Sequence, residues 1–325
     1  MRDFELIRPA GLDAAIAAAA AADTAFIAGG SDLVQLMKDG VATPARLVDL
    51  DGLPLAAIAA APDGVTLGAL VRMADAAAHP AVARGFPVVA QALLASASPQ
   101  VRNMGTIGGN LLQRTRCLYF RDTGLPCNKR APGSGCPAIG GLNRGLAVLG
   151  TSPACIATHP SDLAVALAAV DAVVALRGPG GTTRRLPLTA LYRLPGDAPQ
   201  HDTVLRPGEL IESVFLPQSA AARASAYVKL RDRASFEFAL VSAAAALEIE
   251  GGTIRAARLA MGGVGSMPWR MPQVEAALLD QPASEAAFAA AAALVTQGAT
   301  AASQNGFKLA LMPRAAQRAL RLAAA

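Results

Sequence analysis

The feature that most constrains this 325-residue chain is a long segment, residues 114–152, without helical or strand periodicity. Proline, glycine, arginine and cysteine dominate this segment, whereas regular patterns resume on both sides of it. Loops of this length are uncommon inside compact domains, and those that occur usually have a function. We therefore predict a long ordered loop with a role of its own.

All four cysteines of the chain lie within 39 residues in or beside this segment: Cys117, Cys127, Cys136 and Cys155. Four thiolates suit an iron–sulfur cluster or a tetrahedral zinc ion. The close Cys-x-x-Cys pairs that are typical of structural zinc are missing. No secretion signal is recognisable, which disfavours disulfides. The spacing favours a cluster, with zinc and unligated or disulfide-linked cysteines as alternatives.

The positive charge of the chain is concentrated in the same region. Residues 101–150 contain seven basic residues and one acidic residue, a net charge of +6, whereas the whole chain carries +5. Such a segment can attract nucleic acid, but aromatic residues are few and no nucleic-acid-binding motif is present. We expect no nucleic-acid partner and infer that the charge serves an anionic cofactor or cluster. No apolar run approaches the ~18–20 residues that a membrane-spanning helix needs, so we expect no membrane span.

The rest of the chain divides into three predicted units, giving an α+β fold. Residues 1–60 read as a small βαβ unit, and residues 61–220 as a larger α/β unit with the Cys-rich insertion at about 114–156. In residues 221–325, strands precede helices, which predicts an α+β domain with a three-stranded sheet. The strands predicted there are 226–230, 239–250 and 253–261, and the helices are 273–279, 285–296 and 313–323.

Two glycine turns are the first candidates for chemistry. Residues 26–33 run from a strand through Gly29 and Gly30 into a helix, and residues 105–110 form a second turn. Glycines allow backbone N–H groups to approach a diphosphate closely. Each turn alone is equally well explained as a helix cap or a tight turn. Two such turns in one chain can clamp the two ends of an extended dinucleotide.

Other candidates are less specific. Lys229, Arg231 and Arg233 could face an anionic cofactor, although a solvated strand edge explains them as well. The three histidines are scattered, and no nucleophile–base or paired-carboxylate arrangement can be argued, so we predict no catalytic residue.

Three segments, residues 28–32, 106–111 and 160–163, resemble the FAD-binding subunits of the xanthine dehydrogenase and carbon monoxide dehydrogenase family in order and separation. The resemblance covers essentially the whole chain. It implies that the glycine turns hold the FAD pyrophosphate through backbone amides, that Asp162 contacts the ribityl region, and that Lys229 lies near the flavin. The predicted FAD-binding residues are Ala28, Gly29, Gly30, Ser31, Asp32, Leu33, Gly68, Thr106, Ile107, Gly109, Asn110, Asp162 and Lys229.

The Cys-rich insertion resembles that of periplasmic aldehyde oxidoreductase flavoprotein subunits and, more distantly, that of hydroxybenzoyl-CoA reductases, in which four cysteines ligate a 4Fe–4S cluster. This resemblance implies a 4Fe–4S cluster on Cys117, Cys127, Cys136 and Cys155, acting as a relay or as a structural staple. We expect its loss to disorder the loop while FAD stays largely bound.

The resemblance also implies a heterotrimer with a 2Fe–2S small subunit and a large subunit that oxidises an aldehyde at a molybdenum cofactor. This chain would then pass electrons through FAD to an external small-molecule acceptor. The complex would be cytoplasmic, or periplasmic if exported on a partner's signal. The alternative function is a flavin-free assembly subunit stapled by zinc.

Overall fold

Three β-sheets organise the chain, and a computed structural model describes all 325 residues. The strands are β1 (Glu5–Ile7), β2 (Thr24–Ile27), β3 (Arg46–Asp49), β4 (Ile58–Ala61), β5 (Gly64–Gly68), β6 (Val173–Arg177), β7 (Thr183–Pro187), β8 (Leu210–Pro217), β9 (Ser225–Leu230), β10 (Val241–Glu250), β11 (Thr253–Gly262) and β12 (Trp269–Arg270).

Thirteen α-helices surround these sheets. They are α1 (Leu12–Ala19), α2 (Leu33–Lys38), α3 (Met73–Ala78), α4 (Pro80–Gly85), α5 (Pro87–Ala95), α6 (Pro99–Met104), α7 (Ile107–Leu111), α8 (Leu118–Arg121), α9 (Asp162–Ala169), α10 (Ala220–Arg223), α11 (Pro272–Leu278), α12 (Glu285–Ala292) and α13 (Phe307–Ala323). None of them combines the length and the hydropathy that crossing a bilayer requires.

The first unit is the predicted βαβ unit, extended by one strand and one helix. Strands β2 and β3 pair in parallel on either side of α2, with Phe26 opposite Val48, and β1 pairs with the other edge of β3. Helix α1, which the sequence analysis did not predict, buries Ala15 and Ile16 in a small core with Val48. Its alanine-rich sequence lacks a wide apolar stripe of large residues, so periodicity gives little signal.

The second unit is a five-stranded antiparallel sheet in the order β4–β5–β8–β6–β7. Strand β4 pairs with β5, so the predicted boundary at residue 60 falls inside a strand of this sheet. Every residue of α9 is buried, and this helix packs on both β10 and β11 of the third unit. Its small alanines permit close packing on both sides, so α9 joins the second and third units in one core.

The third unit has a sheet of four strands in the order β12–β11–β10–β9, which corrects the predicted three. Strand β12 has only two residues, too few for an alternating pattern, and Trp269 pairs with Met261. Strands β10 and β11 form the predicted hairpin, in which Gly251 and Gly252 both have positive φ, as a two-residue turn requires. Helix α13 packs across β10 and begins six residues before the predicted start.

The irregular segment has a small core of its own. Its only helix is α8, which begins directly after Cys117. Phe120 and Leu146 are buried together with three of the four cysteines. This core contains nine buried residues, far fewer than the 37 and 26 of the two main cores, so apolar packing alone holds the segment weakly.

Candidate cofactor site

One large cavity lies where the three units and the Cys-rich segment meet. Its volume is about 1240 Å³, above the roughly 300–1,000 Å³ that is typical of small-molecule sites. The walls include both glycine turns, the start of α9, and the β9–β10 connection. A cavity of this size and position suits an extended ligand such as a dinucleotide.

The first glycine turn presents free backbone donors to this cavity. The N–H groups of residues 29–32 donate to no backbone carbonyl. Gly30 has a φ of +66°, a left-handed conformation that glycine adopts without strain. Gly29 lies so close to the backbone of Met104 that a Cβ atom would overlap its carbonyl oxygen. Successive free amides around a left-handed residue form an anion-binding concavity, so this turn fits a diphosphate.

The second glycine turn is arranged differently. The N–H of Gly108 donates to the Ala69 carbonyl (2.8 Å), and the N–H of Asn110 donates to the Thr106 carbonyl (2.8 Å). The N–H of Gly109 donates to Thr106 Oγ1 (3.2 Å), which caps α7. The amides that we expected to bind phosphate are therefore already used within the protein. This turn contributes the shape of the cavity wall, together with the Asn110 side chain.

Asp162 and Lys229 form a buried ion pair at the far wall of the cavity. Lys229 Nζ donates to Asp162 Oδ2 (2.7 Å), and the two side chains are 4% and 5% exposed. Ser96 also donates to Oδ2 (3.0 Å), while the Tyr227 hydroxyl donates to Oδ1 (2.5 Å). Burial and the neighbouring Asp162 carboxylate raise the pKa of Tyr227 well above its usual value, so it stays a donor.

Most of the predicted FAD-binding residues come together in the structure. Those that line the cavity are Ala28, Gly29, Gly30, Ser31, Asp32, Leu33, Thr106, Gly109, Asn110, Asp162 and Lys229. Gly68 and Ile107 do not line it. Gly68 lies against the Leu55 carbonyl at the end of β5, and Ile107 is fully buried in the main core. These two residues shape the scaffold behind the cavity.

Several residues at the site were missed by the sequence analysis. Tyr227 and Ser96 hold Asp162, as described above. Arg72 ties α6 to the loop after β3, because its guanidinium donates to the Met104 carbonyl (2.6 Å) and to Asp51 (3.0 Å). Tyr227 carried a usable signal, since it lies two positions before Lys229 on a predicted strand and therefore on the same face. Ser96 and Arg72 carried none.

The four cysteines gather around a second, small cavity beside the first. All four line it, none forms a disulfide, and all except Cys136 are buried. Cys117 borders both cavities. Burial raises the pKa of Cys117 to about 11 and that of Cys155 above its usual value, so both thiols are protonated at neutral pH.

The cysteines do not match a mononuclear metal site. In tetrahedral zinc sites, all four sulfur atoms lie about 2.3 Å from one ion. No group of three or more His, Cys, Asp or Glu side chains is placed to hold a single ion in this way. A metal at the cysteines is therefore not shown by the geometry. All four free thiols nevertheless line one cavity, and their role as ligands stays a prediction.

Comparisons with known proteins identify two consecutive domains. Residues 2–219 match the FAD binding domain in molybdopterin dehydrogenase, and residues 225–321 match the CO dehydrogenase flavoprotein C-terminal domain. The chain is 47% identical to the aldehyde oxidoreductase FAD-binding subunit PaoB of Escherichia coli (strain K12), over 93% of this chain and 92% of that protein. It is 26% identical to the carbon monoxide dehydrogenase medium chain of Afipia carboxidovorans, over 84% and 79%.

A solved structure shows the same fold. The carbon monoxide dehydrogenase from Hydrogenophaga pseudoflava that lacks the Mo-pyranopterin moiety of the molybdenum cofactor superposes with a TM-score of 0.77, at 27% identity, over 99% of this chain and 97% of that chain. The two domains, the full-length relative and the cavity agree with one another. The chain belongs to the FAD-binding subunits of the molybdenum-dependent oxidoreductases that include the aldehyde oxidoreductase and carbon monoxide dehydrogenase flavoproteins.

Proposed function

We propose that this chain is the electron-transfer subunit of a three-subunit, molybdenum-dependent aldehyde oxidoreductase. The observation that carries the proposal is the 47% identity to PaoB over nearly the full length of both proteins. Bound FAD would supply two-electron chemistry between the 2Fe–2S clusters of a small partner subunit and an external small-molecule acceptor. A large partner subunit with a molybdenum cofactor would oxidise the aldehyde.

The residues of this chain bind and orient FAD rather than react. The free amides of residues 29–32 would hold the diphosphate, because the turn contains no phosphate-binding lysine. The Asn110 side chain accepts from Ser161 (2.6 Å), which fixes it at the cavity wall. The ion pair of Asp162 and Lys229 lines the same cavity, which supports contacts of these side chains with the ribityl chain and the flavin. Their mutual hydrogen bond and those to Ala95, Ser96 and Tyr227 fix both side chains.

Purification of the native complex through a tag on this chain tests the proposal. We expect about one FAD per chain, two additional subunits and molybdenum, and aldehyde-dependent reduction of an artificial acceptor. A chain that retains no flavin would refute the electron-transfer role. Oxidation of carbon monoxide or an N-heterocycle, without aldehyde oxidation, would refute the substrate class. Cell fractionation of the tagged complex decides between cytoplasm and periplasm.

We also propose that Cys117, Cys127, Cys136 and Cys155 ligate one 4Fe–4S cluster. In such a cluster each cysteine binds a different iron, so the sulfur atoms need not converge on one point. The support is that all four free thiols line one cavity in a segment with little core of its own. Lys129 lines the same cavity, and its ammonium, although paired with Asp202, partly offsets the effect of burial on the pKa of Cys155.

Iron, zinc and FAD content of the wild type and Cys136→Ser test the cluster. We expect about four irons per wild-type chain and close to none in the variant. Thr123→Ala, at an exposed position of the same segment, is the control and should retain its iron. One zinc per chain would support the zinc-stapled alternative instead. Unchanged iron in the variant would reject these cysteines as ligands.

A further inference from the structure

The Cys-rich segment and the first glycine turn are joined at one carboxylate. Asp32 lies at the end of the turn and is 15% exposed. Its Oδ1 forms an ion pair with Arg116 Nη1 (2.8 Å) and accepts from Arg121 Nη2 (2.9 Å), and its Oδ2 accepts from the backbone N–H of Arg114 (2.8 Å). All three donors belong to the Cys-rich segment. Asp32 is the N-cap residue of α2, yet its side chain accepts no hydrogen bond from that helix.

The charges at this joint matter for the diphosphate site. An unpaired carboxylate beside a diphosphate would repel it, because like charges at close range disfavour binding. The two guanidiniums neutralise Asp32 and leave a net charge of +1 on the trio. The segment therefore changes the charge beside the turn from repulsive to attractive.

The two arginines are held in place by the segment itself. Arg121 Nε also donates to the Thr115 carbonyl (3.0 Å), and Arg116 Nη2 donates to Gln113 Oε1 (3.3 Å). Arg116 lies one position before Cys117, and Arg121 is the last residue of α8, which begins directly after Cys117. Whatever fixes Cys117 and α8 also fixes both guanidiniums.

We propose that Arg116 and Arg121 are positioning residues that act on FAD binding through Asp32, so that flavin affinity depends on an ordered Cys-rich segment. The inference rests on the proposed FAD site. It differs from the expectation drawn from the sequence that FAD would stay largely bound without the cluster. None of the three residues needs to touch the flavin; they fix the conformation and the charge of the turn.

The test is FAD affinity of the full-length, flavin-stripped chain, measured by quenching of FAD fluorescence, with ADP competition as a diphosphate probe. Arg121→Gln should weaken FAD and ADP binding roughly tenfold or more, since it removes a charge-assisted hydrogen bond. Lys38→Gln removes the same charge from the exposed end of α2 and should change neither affinity. Arg116→Gln provides a second variant if Arg121→Gln does not fold, and iron content and circular dichroism verify each protein.

Asp32→Ala distinguishes a positioning role of Asp32 in FAD binding from an effect of its negative charge alone. A pure charge effect would tighten FAD binding, because a negative charge beside the diphosphate is removed. The positioning role predicts weaker binding, and predicts that Asp32→Ala combined with Arg121→Gln is no worse than the worse single variant. Tighter binding by Asp32→Ala, or wild-type FAD and ADP affinity in folded Arg121→Gln, would overturn the inference. Failure of the wild type to bind FAD would instead refute the proposed function.

Discussion

Replacement of Lys229 by methionine tests whether the buried pair at the cavity wall stabilises the fold. Methionine has about the same length but no charge, so the packing of β9 is largely preserved. Asp162 then keeps only two neutral donors, Tyr227 and Ser96, although it is 5% exposed. Breaking a buried ion pair by removing one partner typically costs about 3–5 kcal/mol. Because two hydrogen bonds to Asp162 remain, we expect the free energy of unfolding to fall by about 3 kcal/mol, the lower end of this range.

The assay is guanidinium unfolding of the flavin-stripped chain, because bound FAD would add its own stabilisation. The single tryptophan, Trp269, lies in the same sheet as β9 and reports on that unit. Lys38→Met removes an exposed lysine and should lower the free energy of unfolding by less than about 0.5 kcal/mol.

The double variant Lys229→Met with Asp162→Asn tests whether the uncompensated charge of Asp162 causes the loss of stability. Asparagine removes the uncompensated charge while its carbonyl can still accept from Tyr227. We therefore expect the double variant to recover about 2 kcal/mol relative to Lys229→Met alone. A loss below about 1 kcal/mol in Lys229→Met, or no recovery in the double variant, would refute the reasoning.

Two further outcomes follow from burial and from close backbone packing. Burial lowers the pKa of His159 from 6.5 to about 4, so the unfolded chain binds its proton first and the free energy of unfolding falls as pH drops from about 6.5 towards 4. The free energy of unfolding should fall by about 3 kcal/mol in total over this range. Unfolding of His159→Gln, measured at several pH values, should lack this part of the pH dependence. An unchanged dependence of the free energy of unfolding on pH would contradict the assignment to His159. Gly29→Ala should lower stability by about 2 kcal/mol or more and weaken FAD binding, because its Cβ would overlap the Met104 carbonyl. Gly11→Ala, whose Cβ meets nothing, is its control, and equal behaviour of the two variants in unfolding and FAD titration would contradict the packing argument.

The sequence predicted the regular elements well where apolar periodicity was strong. The β10–β11 hairpin lies where the pattern placed it, because alternation and paired glycines are local signals. Elements made mainly of alanine or of two residues, such as α1 and β12, were missed. Their positions depend on packing against the rest of the chain, which a local pattern does not contain.

For the site, the sequence identified the positions better than their roles. Both glycine turns line the cavity, yet only the first has free amides, since those of the second are bonded within the protein. Gly30 and Gly109 look equivalent as glycines in a turn. What distinguishes them is the set of acceptors that the fold brings close to their N–H groups, and those acceptors come from other elements or from a cap.

The charge of the Cys-rich segment shows the same limit most clearly. The +6 excess of residues 101–150 was expected to serve an anionic cofactor or cluster. In the structure, five of the seven basic side chains of residues 101–150 pair with carboxylates from elsewhere in the chain: Arg114 and Lys129 with Asp202, Arg116 and Arg121 with Asp32, and Arg144 with Asp232. Because these partners lie between 73 and 89 positions away in sequence, no local window reveals them. The three carboxylates offset half of the +6 excess, and two of the paired cations, Arg116 and Arg121, act on the diphosphate turn through Asp32.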